Sequence, residues 1–152
     1  MRSYTFDIET NGLIPALTHV KCLNIIDNET GMQYRFTDHE FYQDAWSGET
    51  TDVPTQRSGD IKEGLGMLMK ADEICGHNII GFDIPAIQKI YPWFTPDAGV
   101  LDTTVASRLM YTDISDRDAI AQRKGKFLMD KKFTMKPHSL GAWGIRLGGE
   151  RK

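Results

Sequence analysis

Cysteine is nearly absent from this sequence, and the two that occur, Cys22 and Cys75, show no C-x-x-C spacing. Two isolated thiols give no disulfide framework, so a reducing, cytoplasmic setting is expected. No apolar run approaches the roughly 18 residues that a membrane helix needs, and no membrane association is expected. Asp7 and Glu9 interrupt the first segment, which therefore does not read as a signal peptide. Positive charge is not in excess either: 18 Lys and Arg stand against 21 Asp and Glu, a net charge of −3. That balance argues against a protein that holds nucleic acid by charge alone. It leaves room for one that meets a phosphate backbone through cations held by carboxylates. Repeats and low-complexity tracts are missing as well. With 40% hydrophobic and 26% charged residues, the remainder has the composition of an ordinary globular protein. Its 152 residues suit one domain, burying roughly 68–70% of the unfolded surface.

Along the chain, residues 3–9 alternate strictly. Tyr4, Phe6 and Ile8 face one way and Thr5, Asp7 and Glu9 the other, as in a strand with one buried face. Further strands are expected at 20–26 and 32–37, joined by a hairpin loop at 28–31. Residues 38–59, rich in Asp, Gly, Ser and Thr without a clean period, read as a surface excursion. From Asp60 the period becomes helical, with Ile61, Leu65 and Leu68 on one face and Asp60 as the cap. A short strand at 73–77 precedes a helix at 84–90, which holds Pro85 in its first turn and ends at Pro92. Val100 and Leu101 form another short strand, and Asp102 is expected to cap a helix over 103–111. Residues 112–137 read as a polar segment, and a last helix from Ser139 sets Leu140, Trp143 and Leu147 on one face. Met67, Met69 and Met110 are expected in or near the core, and Trp46, Trp93 and Trp143 as packing residues. The fold expected is a mixed α/β domain, an antiparallel three-strand meander followed by βα units.

Asp7 and Glu9, two apart on a strand, send their carboxylates from the same face. Two such groups repel, and one is driven to protonate unless a cation sits between them. A hard divalent ion with oxygen ligands resolves the conflict, although a solvated strand end would carry the same pair. Asp83 sits where a strand gives way to a helix, at the carboxyl end where open α/β sheets place ligands. A helix cap at Asp83, a turn residue at Asn78 and a structural histidine at His77 are the plainer alternatives. Lysine and arginine dominate 123–136. There, Lys124, Lys126, Lys131 and Lys132 are candidate backbone contacts, with Phe127 and Phe133 as stacking surfaces. A solvated lysine-rich loop reads equally well.

Phe6-Asp7-Ile8-Glu9-Thr10-Asn11-Gly12-Leu13 resembles the first motif of the DEDD 3′–5′ exonucleases, and His77-Asn78-Ile79-Ile80-Gly81-Phe82-Asp83 their second. Leu101-Asp102-Thr103, Arg108-Leu109, His138-Ser139-Leu140 and the run from Trp143 to Gly148 resemble later landmarks. Together these are similar to the proofreading domain of family A DNA polymerases of the podovirus phage type, over essentially the whole chain. The resemblance implies a ribonuclease-H-like mixed sheet flanked by helices. It also implies two Mg²⁺ or Mn²⁺ ions and removal of nucleotides from the 3′ end of single-stranded DNA. On it, Asp7 bridges both metals, Glu9 binds the water-activating one and Asp83 supports the other. Thr10 and Leu13 match positions that contact and wedge the terminal nucleotides. Asn78 and Phe82, with His77 beside them, match positions near the 3′-terminal sugar.

The third motif of that family, Tyr-x-x-x-Asp or His-x-x-x-Asp on a late helix, has no counterpart in the late helices expected here. The expectation is therefore a single exonuclease domain over 1–152 that stops before its last helix. Either a longer polymerase or a completing partner chain then supplies the fourth carboxylate. Two other functions remain open. One is a catalytically silent nucleic-acid-binding or scaffold domain of a split polymerase; the other is an oligoribonuclease-like RNA exonuclease, because the first two motifs occur there too.

Overall fold

The computed structural model describes residues 1–37, 56–126 and 136–148. It divides into two compact units, Met1–Asp102 and Thr103–Lys152.

The first unit is built on a mixed sheet. β1 (Ser3–Thr10), β2 (Val20–Asp27) and β3 (Gln33–Thr37) form the expected antiparallel meander. β4 is Gln56–Gly59, β5 Glu73–Gly76 and β6 Gly99–Asp102, and the sheet runs β4-β3-β2-β1-β5-β6. β5 lies parallel to β1 and to β6. A meander extended by parallel βα strands is compatible with a ribonuclease-H-like fold. On β1 the alternation holds: Phe6 and Ile8 are buried while Asp7 and Glu9 are exposed. The β2–β3 hairpin turns through Gly31 at φ 73°, with Asp27 accepting hydrogen bonds from the Glu29 and Thr30 N–H groups.

α1 (Ile61–Leu68) starts on Asp60, whose carboxylate accepts the Glu63 N–H at 3.0 Å. Its Ile61, Leu65 and Leu68 are fully buried with Leu23, Ile25, Phe36 and Ile74 in the core of the sheet. Met67 and Met69 pack at the edge of that core. α2 (Asp83–Ile90) begins one residue earlier than the sequence suggested and buries Ala86 and Ile87.

The edge strand β4 corrects the reading of 38–59 as an excursion, since its last four residues pair in parallel with β3. Gln-Arg-Ser-Gly has no apolar alternation to read in the sequence; the strand is seen through its backbone pairing with β3. The rest of that segment, with Trp46, lies outside the described residues.

The second unit holds α3 (Thr103–Met110), α4 (Ile114–Arg123) and α5 (Leu140–Arg146). α4 corrects the reading of 112–137 as merely polar. Its buried positions are Ile114 and Asp118, and Asp118 is neutralised by the Arg146 guanidinium through two hydrogen bonds. An acid on the buried side of a helix carries no hydrophobic period to read. Trp143 Nε1–H donates to Ser107 Oγ at 2.9 Å, and its ring meets Tyr111 edge-on at 5.2 Å. Ser139 caps α5 by accepting the Ala142 N–H. Met110, Leu140 and Leu147 are exposed rather than packed, which corrects Met110 as a core residue. Trp93 is half exposed against Tyr91.

Candidate functional site

The site forms where β5 ends and β1 continues. Pairing between these parallel strands stops at Thr5 opposite Cys75. Beyond that point the β1 edge is met by the turn that follows β5. There the Ile8 N–H donates to Asp83 Oδ1 at 3.2 Å, so the first residue of α2 takes the place of a strand partner. Asp83 is 4% exposed. Burial, and then the negative charge of Asp7, push its carboxyl up to about 6; the Ile8 N–H opposes the rise. Burial also raises Asp7, while His77 draws it part of the way back. His77 and Asp83 are therefore both within electrostatic reach of Asp7, and Glu9 leaves the same strand face one pleat further on.

The turn between β5 and α2 is tightly determined. Asn78 takes φ 65°, the left-handed region, and its carbonyl accepts the N–H groups of Gly81 and Phe82. A Cβ on Gly76 would stand 2.3 Å from Ile79 Cγ2 and 2.8 Å from the Phe6 carbonyl oxygen, so only glycine lets the turn lie this close to β1. Phe82 packs against the core. Asp102, expected to cap α3, directs its two oxygens onto this turn, accepting the Asn78 N–H at 2.9 Å and the Ile80 N–H at 3.0 Å. Nothing in the local sequence signals that role, because the donors lie more than twenty residues upstream.

On the other side of β1, the loop carrying Leu13 is tied down at several points. The Thr10 hydroxyl donates to the Gly12 carbonyl. Asn11 accepts from the Thr18 and His19 N–H groups. Lys89, near the end of α2, donates to the Ile14 and Pro15 carbonyls at 2.6 and 3.2 Å. Leu13 itself projects, 73% exposed. Of the basic candidates, Lys124 and Lys126 are exposed just after α4 in the second unit. Lys131 and Lys132, like Phe127 and Phe133, lie outside the described residues.

Among the described residues, no three His, Cys, Asp or Glu side chains are already gathered closely enough to hold a metal ion. The donor chemistry nonetheless suits a hard divalent cation: Asp83 is held in place, and Asp7 and Glu9 are exposed carboxylates on one face.

The chain is 33% identical over 150 residues to the DNA-directed DNA polymerase of Escherichia phage T7. With the corresponding enzyme of Enterobacteria phage T3 the identity is 31% over the same length. Each match takes in 93% of this chain. The chain is homologous to a region of phage DNA polymerase. It spans 18% of the length of these two polymerases. Homology to the phage polymerases fits a region of a family A polymerase. No family model matches the chain. Among the described residues no helix is long and apolar enough to cross a membrane.

Proposed function

We propose that the chain is the metal-binding part of a polymerase-associated 3′–5′ exonuclease domain, acting on the 3′ end of single-stranded DNA. The observation that carries this reading is the approach of Asp83 to β1. A buried carboxylate bonded to the Ile8 N–H and raised by the charge of Asp7 is an arrangement that a cation relieves. Asp7, Glu9 and Asp83 hold Mg²⁺ or Mn²⁺. Such ions, when bound, would supply charge that stabilises the attacking and leaving oxygens of an in-line displacement at phosphorus. Thr10 and the projecting Leu13 receive the terminal nucleotides, and His77, Asn78 and Phe82 border the terminal sugar. Carboxyls raised by burial, and at Asp83 also by the charge of Asp7, beside a strand end support a functional reading over a purely structural one.

No described helix carries Tyr-x-x-x-Asp or His-x-x-x-Asp, and in this reading a polymerase chain or a partner contributes the fourth carboxylate. The test compares Mn²⁺-dependent degradation of a 3′-labelled single strand by the chain alone and by the chain joined to a helix bearing Tyr-x-x-x-Asp. Asp7→Ala serves as the blank. The extended form is expected to be faster by on the order of 10²-fold, since a loosely held nucleophile costs about that much. Binding of the strand without cleavage by either form would overturn the enzymatic reading in favour of a silent binding domain. Preference for an RNA strand would favour the oligoribonuclease-like alternative.

A further inference from the structure

The Asp102 carboxylate is 4% exposed and lies at the end of β6, in register with Gly76, the last residue of β5. Its two oxygens each receive one backbone N–H of the turn that leaves β5: Asn78 to Oδ1 and Ile80 to Oδ2. Both distances are those of well-formed N–H···O bonds. They clamp alternate residues of a turn whose first member is in a conformation that non-glycine residues avoid.

From that clamp the connection to the site is short. The Asn78 carbonyl accepts the Gly81 and Phe82 N–H groups, and the Ile79 carbonyl accepts the Ile84 N–H, which together set the first turn of α2. Asp83 lies between these bonded residues and reaches Ile8 on β1. A shift of the turn therefore shifts Asp83 along the β1 edge. We propose that Asp102 is a positioning residue: its carboxylate holds the 78–80 turn in the conformation that presents Asp83 to β1 beside Asp7. The consequence for metal binding rests on the proposed function; the clamp itself does not.

Both parts are tested on the 152-residue chain with Asp102→Asn, which keeps the side-chain shape but replaces one acceptor oxygen with a donor. Amide exchange is expected to accelerate at Asn78 and Ile80 by about tenfold or more, with Ile74 in β5 unchanged. Mn²⁺ affinity, measured by titration calorimetry well below the melting temperature, is expected to weaken about 10–100-fold, as for other residues that orient metal ligands. Asp102→Glu, which retains both acceptor oxygens, should recover part of both. Leu68→Ala, in the core away from the turn, supplies the comparison: it should lower the melting temperature without changing Mn²⁺ affinity. If Asp102→Asn binds Mn²⁺ as the wild type does, or if its turn amides exchange no faster, Asp102 is not a positioning residue. Should that variant fail to fold, exchange in the wild type decides: Asn78 and Ile80 protected to the level of Ile74 support the clamp, and unprotected amides overturn it. A wild type that binds no Mn²⁺ sinks the proposed function, and the amide exchange then judges the clamp alone.

Discussion

At Asp83 a nearly fully buried carboxylate meets the Ile8 N–H and the charge of Asp7, and its pKa stands at about 6. A carboxyl raised in the folded state favours folding while it is protonated, below the ordinary value of 3.8. That contribution is lost as pH rises through about 6, so the metal-free chain is expected to lose stability between pH 4 and pH 7. Asp83→Asn keeps an oxygen to accept the Ile8 N–H and removes the charge. Its melting temperature at pH 7.5 should exceed that of the wild type by roughly 3 °C or more, without the wild type's loss across this range. The variant should also lose any stabilisation by Mn²⁺, which requires ionised ligands. A melting temperature that falls on substitution would show that Asp83 serves the fold instead. Thermal scans from pH 4 to 7.5, with and without Mn²⁺, give both answers.

Among the elements, α1 and α4 join their surroundings by opposite means. α1 is an apolar face brought close by a glycine: a Cβ on Gly64 would lie 2.5 Å from the Phe36 ring and 2.7 Å from Leu23 Cδ2. Helix propensity alone makes Gly64→Ala a gain of about 1 kcal/mol. Overpacking against the sheet outweighs it, and a net loss of about 1–3 kcal/mol is expected in urea unfolding. α4 is held through charge. Asp118 and Arg146 are 7% and 10% exposed, and Arg146 also lies 4.9 Å from the centre of the Trp143 ring. Asp118→Asn leaves the guanidinium buried without its counter-charge, a loss of about 3–5 kcal/mol. Hydrogen exchange should report it as early opening of α4 and α5; protection equal to wild type would show the pair to be dispensable.

For the whole molecule, a net charge of −3 means that any hold on DNA is local, through metals or through the lysines after α4. If those lysines track phosphates, affinity for single-stranded DNA falls with salt, and changing Lys124, Lys126, Lys131 and Lys132 together to Ala flattens the slope. An unchanged slope, read by fluorescence anisotropy, would leave them as a solvated surface. Much of the first unit was legible in the sequence, because its signals are local. The alternation of β1, the β2–β3 turn, the Asp60 cap and the period of Ile61, Leu65 and Leu68 each depend on residues within a few positions of one another. The pairing of Asp7 with Glu9 belongs to the same class, since a strand alone puts them on one face. What depends on distant partners was not legible: β4 exists through its backbone pairing with β3, and α4 buries an acid matched by an arginine twenty-eight residues on. Asp102 reads locally as a cap for the helix that follows it; only the fold shows its carboxylate receiving the turn before α2. Sequence alone determined which carboxylates share a strand; the tertiary structure decided that Asp83 reaches that strand at Ile8, because only the folded sheet brings the end of β5 against the open edge of β1.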